Sequence, residues 1–362
     1  MKIAIITNHS YMLYRFRKDL IQKLLEENEV VISTPCVGHE DDLRNLGCRV
    51  VDTRVDRRGI NPMVDVQLVK RYLQFLRVES PDKVITYSIK PNIYAGMLCR
   101  YKKIPYYANV QGLGTAFQSP ILASMVTVLY KHAFRKVKTV FFENKANAAL
   151  FQKRRIIPKE KEKILNGAGI NLNDYQYCAY PMNEEKIHFL YVGRIMKEKG
   201  VDELFEAFKQ LRQKYQNIIL DIVGFFEDEY RDVIDELVKD ESIIFHGFQQ
   251  DVIPYYQKAH CVVLPSYHEG MSNVLLEACA IGRPVITSNI PGCKEAVNNQ
   301  VNGYLVHVKD SQDLYKKMKD FVDLNIYAKE TMGKYARDKM KREFNKEMVV
   351  KQTYECIMNE RE

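Results

Sequence analysis

CVVLPSYHEGMSNVLLEACAIGRPVITS, residues 261–288, reads as strand, loop, helix, turn and strand. Cys261–Pro265 is a short apolar run. Ser272 is a good N-cap for a helix starting near Asn273. Gly282 stands where a C′ glycine is expected, and 283–288 is again strand-like. Strands joined by a helical crossover run parallel, and a parallel sheet needs cover on both faces. Two acids stand out, since an unpaired buried carboxylate is costly. Glu269 lies in the loop before Gly270. Glu277 lies about one turn into the helix, where a side chain leans back toward the helix N-terminus. Its neighbours Leu275, Leu276, Ala278 and Ala280 are apolar, so a plain surface acid is the weaker reading. Both carboxylates can converge on the loop, with the amides of residues 271–274 between them. Acceptors beside donors suit a polyhydroxyl ligand that also carries phosphate.

Outward from this unit, the same alternation repeats. IHFLYV, IILDIVG and SIIFHGF are strand-like, and helices at 201–211, 228–240 and 251–259 separate or follow them. The chain after residue 310 is helical and charged. In the first half, KIAIIT enters a loop, NHSYMLYRF; a helix follows from Arg17 with Leu20, Ile21, Leu24 and Leu25 on one face; EVVIST is the next strand. Strands alternating with helices predict an α/β protein with parallel sheets. At 362 residues the chain suits two domains. The polar stretch 173–186 predicts a boundary giving 1–178 and 179–340, with a terminal helix, 341–362, packing back toward the first domain. Ligands of such domains bind at the carboxyl ends of the strands.

Composition excludes several classes. The longest apolar run, 121–130, is too short to span a bilayer, and the opening residues show no signal-peptide pattern. A cytoplasmic protein is expected. Eight cysteines without a C-x-x-C give no zinc or dithiol site. GLGTAF and GAGINL lack the third glycine of a dinucleotide fingerprint, and no phosphate-binding P-loop exists. No D-x-D or close histidine cluster signals a metal. Residues 1–178 hold 29 Lys and Arg against 16 Asp and Glu; the remainder holds 25 against 30. A basic first half predicts an anionic partner. Its cations are dispersed and no recognition motif accompanies them, which argues against nucleic acid. The segment 119–140 joins an apolar stripe to Lys131, Arg135, Lys136 and Lys138, which suits a helix lying on an anionic membrane; a core helix with a solvated basic end is the alternative.

Gly193, Arg194 and Lys199 lie in a loop between a strand and a helix, where two cations and a helix N-terminus fit a diphosphate. With this loop, the spacing of Glu269 and Glu277 and the stretches 192–208, 245–297 and 302–306, the chain resembles the retaining glycosyltransferases of family 4. Those have the GT-B fold, two Rossmann-like domains facing across a cleft. SIKPNIYAG (88–96) and YANVQGLGTAF (107–117) resemble a narrower group that builds bacterial surface polysaccharide and lipid-linked oligosaccharide.

The resemblance implies roles. Arg194 and Lys199 would hold the diphosphate of a nucleotide sugar, most often UDP-linked, with Gly193 beside them. Glu277 would accept from the ribose hydroxyls. Glu269 would contact the transferred sugar, a hexose or N-acetylhexosamine. The amides of Gly270, Met271, Ser272, Asn273 and Val274 would meet sugar and phosphate, and Phe248 would line the base. Glu269, Arg194 and Lys199 are the expected catalytic groups. His9 and Ser10 would approach phosphate and acceptor, with Asn109, Gln111 and Gly112 nearby. Many relatives have glycines in the first loop and a histidine near 109–111; this chain has neither, so imidazole base catalysis is not expected there. No metal or cofactor is implied. The acceptor would be a glycan or an undecaprenyl-diphosphate-linked sugar, placing the enzyme at the inner face of the plasma membrane. A nucleotide-sugar epimerase and a non-catalytic binding protein of the same architecture are the rival readings; transfer to an acceptor separates them.

Overall fold

Short strands that are apolar on both faces dominate the two halves, and such strands are stable only under cover on each side. The computed structural model describes residues 1–56, 59, 61–113, 117, 119–183 and 185–359. Seven strands form the first sheet: β1 (Lys2–Ile6), β2 (Glu29–Thr34), β3 (Arg49–Asp52), β4 (Lys83–Tyr87), β5 (Tyr106–Val110), β6 (Thr139–Phe142) and β7 (Glu162–Ile164). All pair in parallel, in the order β3-β2-β1-β4-β5-β6-β7. Six form the second: β8 (Ile187–Val192), β9 (Ile218–Val223), β10 (Ile243–Phe245), β11 (Cys261–Leu264), β12 (Val285–Ser288) and β13 (Gly303–Val306). They too are parallel, in the order β10-β9-β8-β11-β12-β13. The strand order reverses between β1 and β4 in one sheet and between β8 and β11 in the other. Those two points are where an open α/β sheet binds its ligand.

Side-chain alternation explains the layering. Ile3 and Ile5 of β1 join Leu20, Ile21, Leu24, Val349 and Ile357 on one face of the first sheet. Ala4 and Ile6 join Tyr72, Phe75, Tyr130 and Phe151 on the other. Each such side chain, fully buried, contributes about 1.5–3 kcal/mol. The second sheet buries Phe189, Leu220, Val262, Val263 and Ile286 between helices on both sides.

Several expectations shift. The first helix runs Ser10–Leu25, not from Arg17. Ser10, Leu13, Arg17, Leu20 and Leu24 share its buried face; the arginine in that face hid the period. The basic segment is a helix, Pro120–Ala133, then a 3₁₀ turn, Phe134–Lys136, and β6, rather than one helix. The chain divides into Met1–Ala168 plus everything from Glu347 onward, and Gly169–Lys346. Residues 169–178 thus belong to the second unit. The helix Ile326–Glu343 carries the second unit past residue 340. Of the predicted terminal segment, the helix Lys346–Met358 is the part that packs on the first sheet, through Val349 and Ile357. Gly169 marks the crossing: with φ +70, a Cβ there would lie 2.6 Å from the Lys346 Cα. Arg57 and Arg58 of the basic run 54–58, and Gly114, Thr115 and Ala116 of the stretch 107–117, lie outside the described residues.

Candidate functional site

In the second unit, the loops after β8 and β11 meet beside the strand-order reversal. Their backbones join where Tyr267 N–H donates to the Glu198 carbonyl at 2.9 Å. Gly200 makes this possible, since its φ is +71 and a Cβ would lie 2.1 Å from the Pro265 oxygen. Lys199, half-buried on the first loop, donates from Nζ to Glu269 Oε1 at 2.5 Å, and Ser266 donates to the same oxygen at 2.9 Å. An ammonium has three donors, so Lys199 keeps capacity for a second anion. Gly292, after β12, braces the far side of the loop: its carbonyl accepts from Ser272 N–H at 2.8 Å, and a Cβ on it would lie 2.6 Å from the Gly270 oxygen.

The helix Asn273–Ile281 follows, ended by Gly282 at φ +92. Ser272 holds the N-cap position, but no side chain caps the helix. Its first-turn amides therefore point their partial positive charge outward, as an anion site requires. Met271 is buried in the core, and Val274 packs against it. Arg194 is part-exposed; its Nη1 lies 3.4 Å from Glu227 Oε1, and its carbonyl accepts from the buried Tyr191 hydroxyl at 2.6 Å. Burial raises the Tyr191 phenol far above its usual range, so it stays a donor. Gly193 packs edge-on against Gly224, where a Cβ would lie 1.8 Å from the Gly193 oxygen.

Glu277 is 6% exposed and accepts from the Tyr256 hydroxyl at 3.0 Å. Phe248 is exposed, and its ring meets that of Phe225 edge to face at 6.0 Å. Phe225 escaped the sequence reading; the backbone bond Gly224 N–H to Gly247 carbonyl, 2.9 Å, sets the two aromatic loops side by side. Tyr256 and Glu227 were also missed. The structure thus joins Lys199 to Glu269, and ties Arg194 and Glu277 to partners of their own. Among the described residues, His307, Asp310 and Asp313 bring three possible ligand atoms within 4.8 Å of one another, but none belongs to these loops.

In the first unit, two adjoining cavities open at the carboxyl ends of β1, β4 and β5. One, about 150 Å³, is lined by residues that include Asn8, His9, Arg17, Tyr87, Ser88 and Gln111. The other, about 260 Å³, includes Ser88, Lys90, Asn109, Gln111 and Gly112. Asn109 is 3% exposed and donates its amide to the Thr86 carbonyl at 3.3 Å. Ser10 lines neither cavity: its hydroxyl donates to the Gly38 carbonyl at 2.7 Å and accepts from Val37 N–H at 3.1 Å. These contacts hold the loop at Val37 and Gly38 against the start of the first helix. Lys90 was missed; Asp65 anchors its ammonium at 2.6 Å. Among the described residues no helix is long and apolar enough to cross a membrane.

Comparison with known proteins supplies the family. The family "Glycosyl transferases group 1" matches residues 179–339, and "Glycosyl transferase 4-like" matches residues 2–144. The N,N'-diacetylbacillosaminyl-diphospho-undecaprenol alpha-1,3-N-acetylgalactosaminyltransferase of Campylobacter jejuni is 27% identical over 88% of this chain and 88% of its own length. The UDP-Gal:alpha-D-GlcNAc-diphosphoundecaprenol alpha-1,3-galactosyltransferase of Escherichia coli is 26% identical over 80% of this chain and 78% of its own. The crystal structure of HepE from Anabaena, in complex with UDP, superposes with a TM-score of 0.82 at 17% identity, covering 99% of this chain and 100% of that one. Two parallel-sheet α/β units matched along their length by glycosyltransferase domains make the chain an enzyme of the GT-B glycosyltransferases, 4-like in its first half and of group 1 in its second.

Proposed function

We propose that this enzyme moves a hexose or N-acetylhexosamine from a UDP-sugar to an undecaprenyl-diphosphate-linked or glycan acceptor in bacterial surface polysaccharide assembly, with retention of anomeric configuration. The carrying observation is the Lys199–Glu269 contact beside an uncapped helix N-terminus at the second unit's strand-order reversal. The names of the two bacterial relatives and the UDP held by the Anabaena structure support the substrate classes.

The chemistry follows from charge. Breaking the glycosidic bond leaves a nucleoside diphosphate, so negative charge grows on the departing phosphate. Lys199, Arg194 and the amides of Asn273 and Val274 are fixed positive groups able to receive it without reorganising. No metal ion is needed for that task. Glu269, shared between Lys199 and Ser266, is placed to take sugar hydroxyls as the diphosphate draws the ammonium away. Glu277, oriented by Tyr256, takes the ribose hydroxyls, and Phe225 and Phe248 offer an exposed aromatic platform for the base. The leaving phosphate takes the acceptor's proton.

The first unit supports a peripheral membrane position. Ile121, Met125 and Val128 are exposed along one face of the helix Pro120–Ala133, with Lys131, Arg135, Lys136 and Lys138 exposed at its end. An anionic bilayer answers both the apolar stripe and the charge.

The test is turnover by purified enzyme across UDP-, GDP- and ADP-sugars with a polyprenyl-diphosphate-linked sugar. Product is expected from a UDP-sugar, with Lys199→Ala and Glu277→Ala each lowering turnover on the order of 10²-fold. UDP at 100 times its Kd stabilises the fold by about 2.7 kcal/mol. Unchanged turnover in both variants, or stabilisation by GDP or ADP but not UDP, refutes the assignment.

A further inference from the structure

β9, IILDIV, is buried at every position, and five of its six side chains are apolar. Asp221 is the exception, 4% exposed, and a buried carboxylate needs partners. It has one on each side. His188 of β8 donates from Nδ1 to Oδ2 at 2.7 Å, and His246, the residue after β10, donates from Nε2 to Oδ1 at 2.7 Å. Lys258 Nζ adds a cation 3.9 Å from Oδ1. Burial pushes the carboxyl up, but the two imidazole bonds outweigh it, so the group is ionised and can only accept. The His188 end of this clamp is fixed: its ring stacks on that of His260 at 6.1 Å, and its backbone N–H donates to His260 Nδ1 at 3.0 Å.

The His246 end leads straight into the aromatic loop. Gly247 follows with φ +67, and nothing lies within 4 Å of where its Cβ would be. Phe248 is 64% exposed. Packing therefore does not set the course of this turn, and polar contacts must. His246 N–H donates to the Ile222 carbonyl at 2.9 Å, and Gln249 Nε2 donates to the His246 carbonyl at 2.7 Å. The clamp on the imidazole is the side-chain part of the same attachment. The His246 ring also meets that of Tyr255 edge to face at 4.8 Å. Tyr255 precedes Tyr256 in the helix Ile253–Lys258, and the Tyr256 hydroxyl donates to Glu277. One imidazole thus bears on both the aromatic platform and the residue that orients the ribose carboxylate. The diphosphate position is built on other loops, those after β8 and β11.

We propose that His246, clamped through Asp221 to His188, is a positioning residue for the nucleoside half of the donor: it sets Phe248 beside Phe225 and steadies the helix that carries Tyr256. This rests on the proposed function, which puts base and ribose at those residues. His246 touches no reacting atom, so its loss costs donor binding and spares the chemical step.

The test compares UDP with inorganic pyrophosphate, each titrated calorimetrically into full-length native, His246→Leu and His246→Gln proteins. Glutamine offers an N–H donor where the imidazole has Nε2; leucine offers none. His246→Leu is expected to bind UDP more weakly on the order of tenfold, the cost of one lost base–aromatic stack, and pyrophosphate as the native protein does. His246→Gln is expected to restore UDP binding. In steady state, His246→Leu raises KM for the UDP-sugar at unchanged kcat, the mark of lost uniform binding. A merely structural histidine weakens both probes together or neither. If His246→Leu does not fold, His246→Asn, too short to reach Asp221, takes its place. Native UDP affinity in His246→Leu, pyrophosphate affinity that falls with it, or no recovery in His246→Gln overturns the proposal. A native enzyme that binds GDP or ADP and not UDP sinks the proposed donor; the same variants, titrated with that nucleotide, then decide the positioning role. A native enzyme that binds no nucleotide overturns both.

Discussion

Gly200→Ala perturbs the second-unit site without touching a polar group. Two effects separate cleanly. A non-glycine residue at φ +71 costs about 1–2 kcal/mol through its conformation alone. The new Cβ must also retreat from the Pro265 oxygen, from 2.1 Å to the 3.4 Å of ordinary contact, about 1.3 Å. That displacement parts the loops after β8 and β11 and moves Lys199, the preceding residue, off Glu269. Misplacement by about 1 Å costs on the order of 10²-fold in rate. Gly247→Ala is the control, because Gly247 has φ +67 and nothing within 4 Å of its would-be Cβ. It carries only the conformational term, a Tm loss of roughly 2–8 °C at about 2–4 °C per kcal/mol. Thermal unfolding and steady-state kinetics of both variants give the comparison. Gly200→Ala is expected to lose more stability than Gly247→Ala and about two orders of magnitude in turnover. Equal stability losses with native turnover in Gly200→Ala refute the idea that loop spacing governs the chemistry.

Other outcomes are expected elsewhere. Burial pushes the Asp221 carboxyl up, but hydrogen bonds from His188 and His246, each 2.7 Å, outweigh it and hold the group below its ordinary 3.8. A lowered folded value stabilises above about pH 4 and is lost as pH falls through that folded value. Asp221→Asn therefore lowers stability at neutral pH and flattens the acid limb of a denaturation series; an unaltered limb counts against it. Arg283 is fully buried and donates to the carbonyls of Tyr256, Gln257, Cys178 and Ala179 at 2.8–3.1 Å. Arg283→Met orphans them and is expected to cost roughly 3 kcal/mol or more in urea unfolding. Ile121→Glu/Met125→Glu/Val128→Glu removes three apolar groups worth about 1.5 kcal/mol or more each when buried, so sedimentation with phosphatidylglycerol vesicles weakens at least tenfold. A native chain that does not sediment with them excludes the membrane face.

Much of this was legible beforehand because the second unit follows its local rules. Its strands and the helix Asn273–Ile281 fall where apolar runs, Ser272 and Gly282 place them. Lys199 and Glu269 are recognisable singly, but their contact depends on the close backbone approach at Gly200, which no spacing reveals. The partners of Ser10, Val37 and Gly38, lie 27 and 28 residues away, where no local pattern points to them. The first unit is harder to read. Its first helix buries an arginine where the period calls for an apolar residue, and the partner, Glu143, comes 126 residues later. Phe225 and Tyr256 matter through tertiary contacts, with no local signal.

The helix Lys346–Met358 completes the first sheet from the far end of the chain. Lys83 Nζ and the buried Tyr107 hydroxyl both donate to the Ile357 carbonyl, at 2.6 and 3.1 Å. During synthesis, a ribosome that has finished residue 168 must still add nearly two hundred more before that cover exists. At about 5–20 residues per second, the nascent β1 and β4 wait on the order of 10–40 s with Ile3, Ile5 and Ile85 covered by the helix Ser10–Leu25 but not yet by Val349 and Ile357. The second unit, Gly169–Lys346, is complete in sequence before that last cover is made. A chaperone is most needed by the half that is translated earliest.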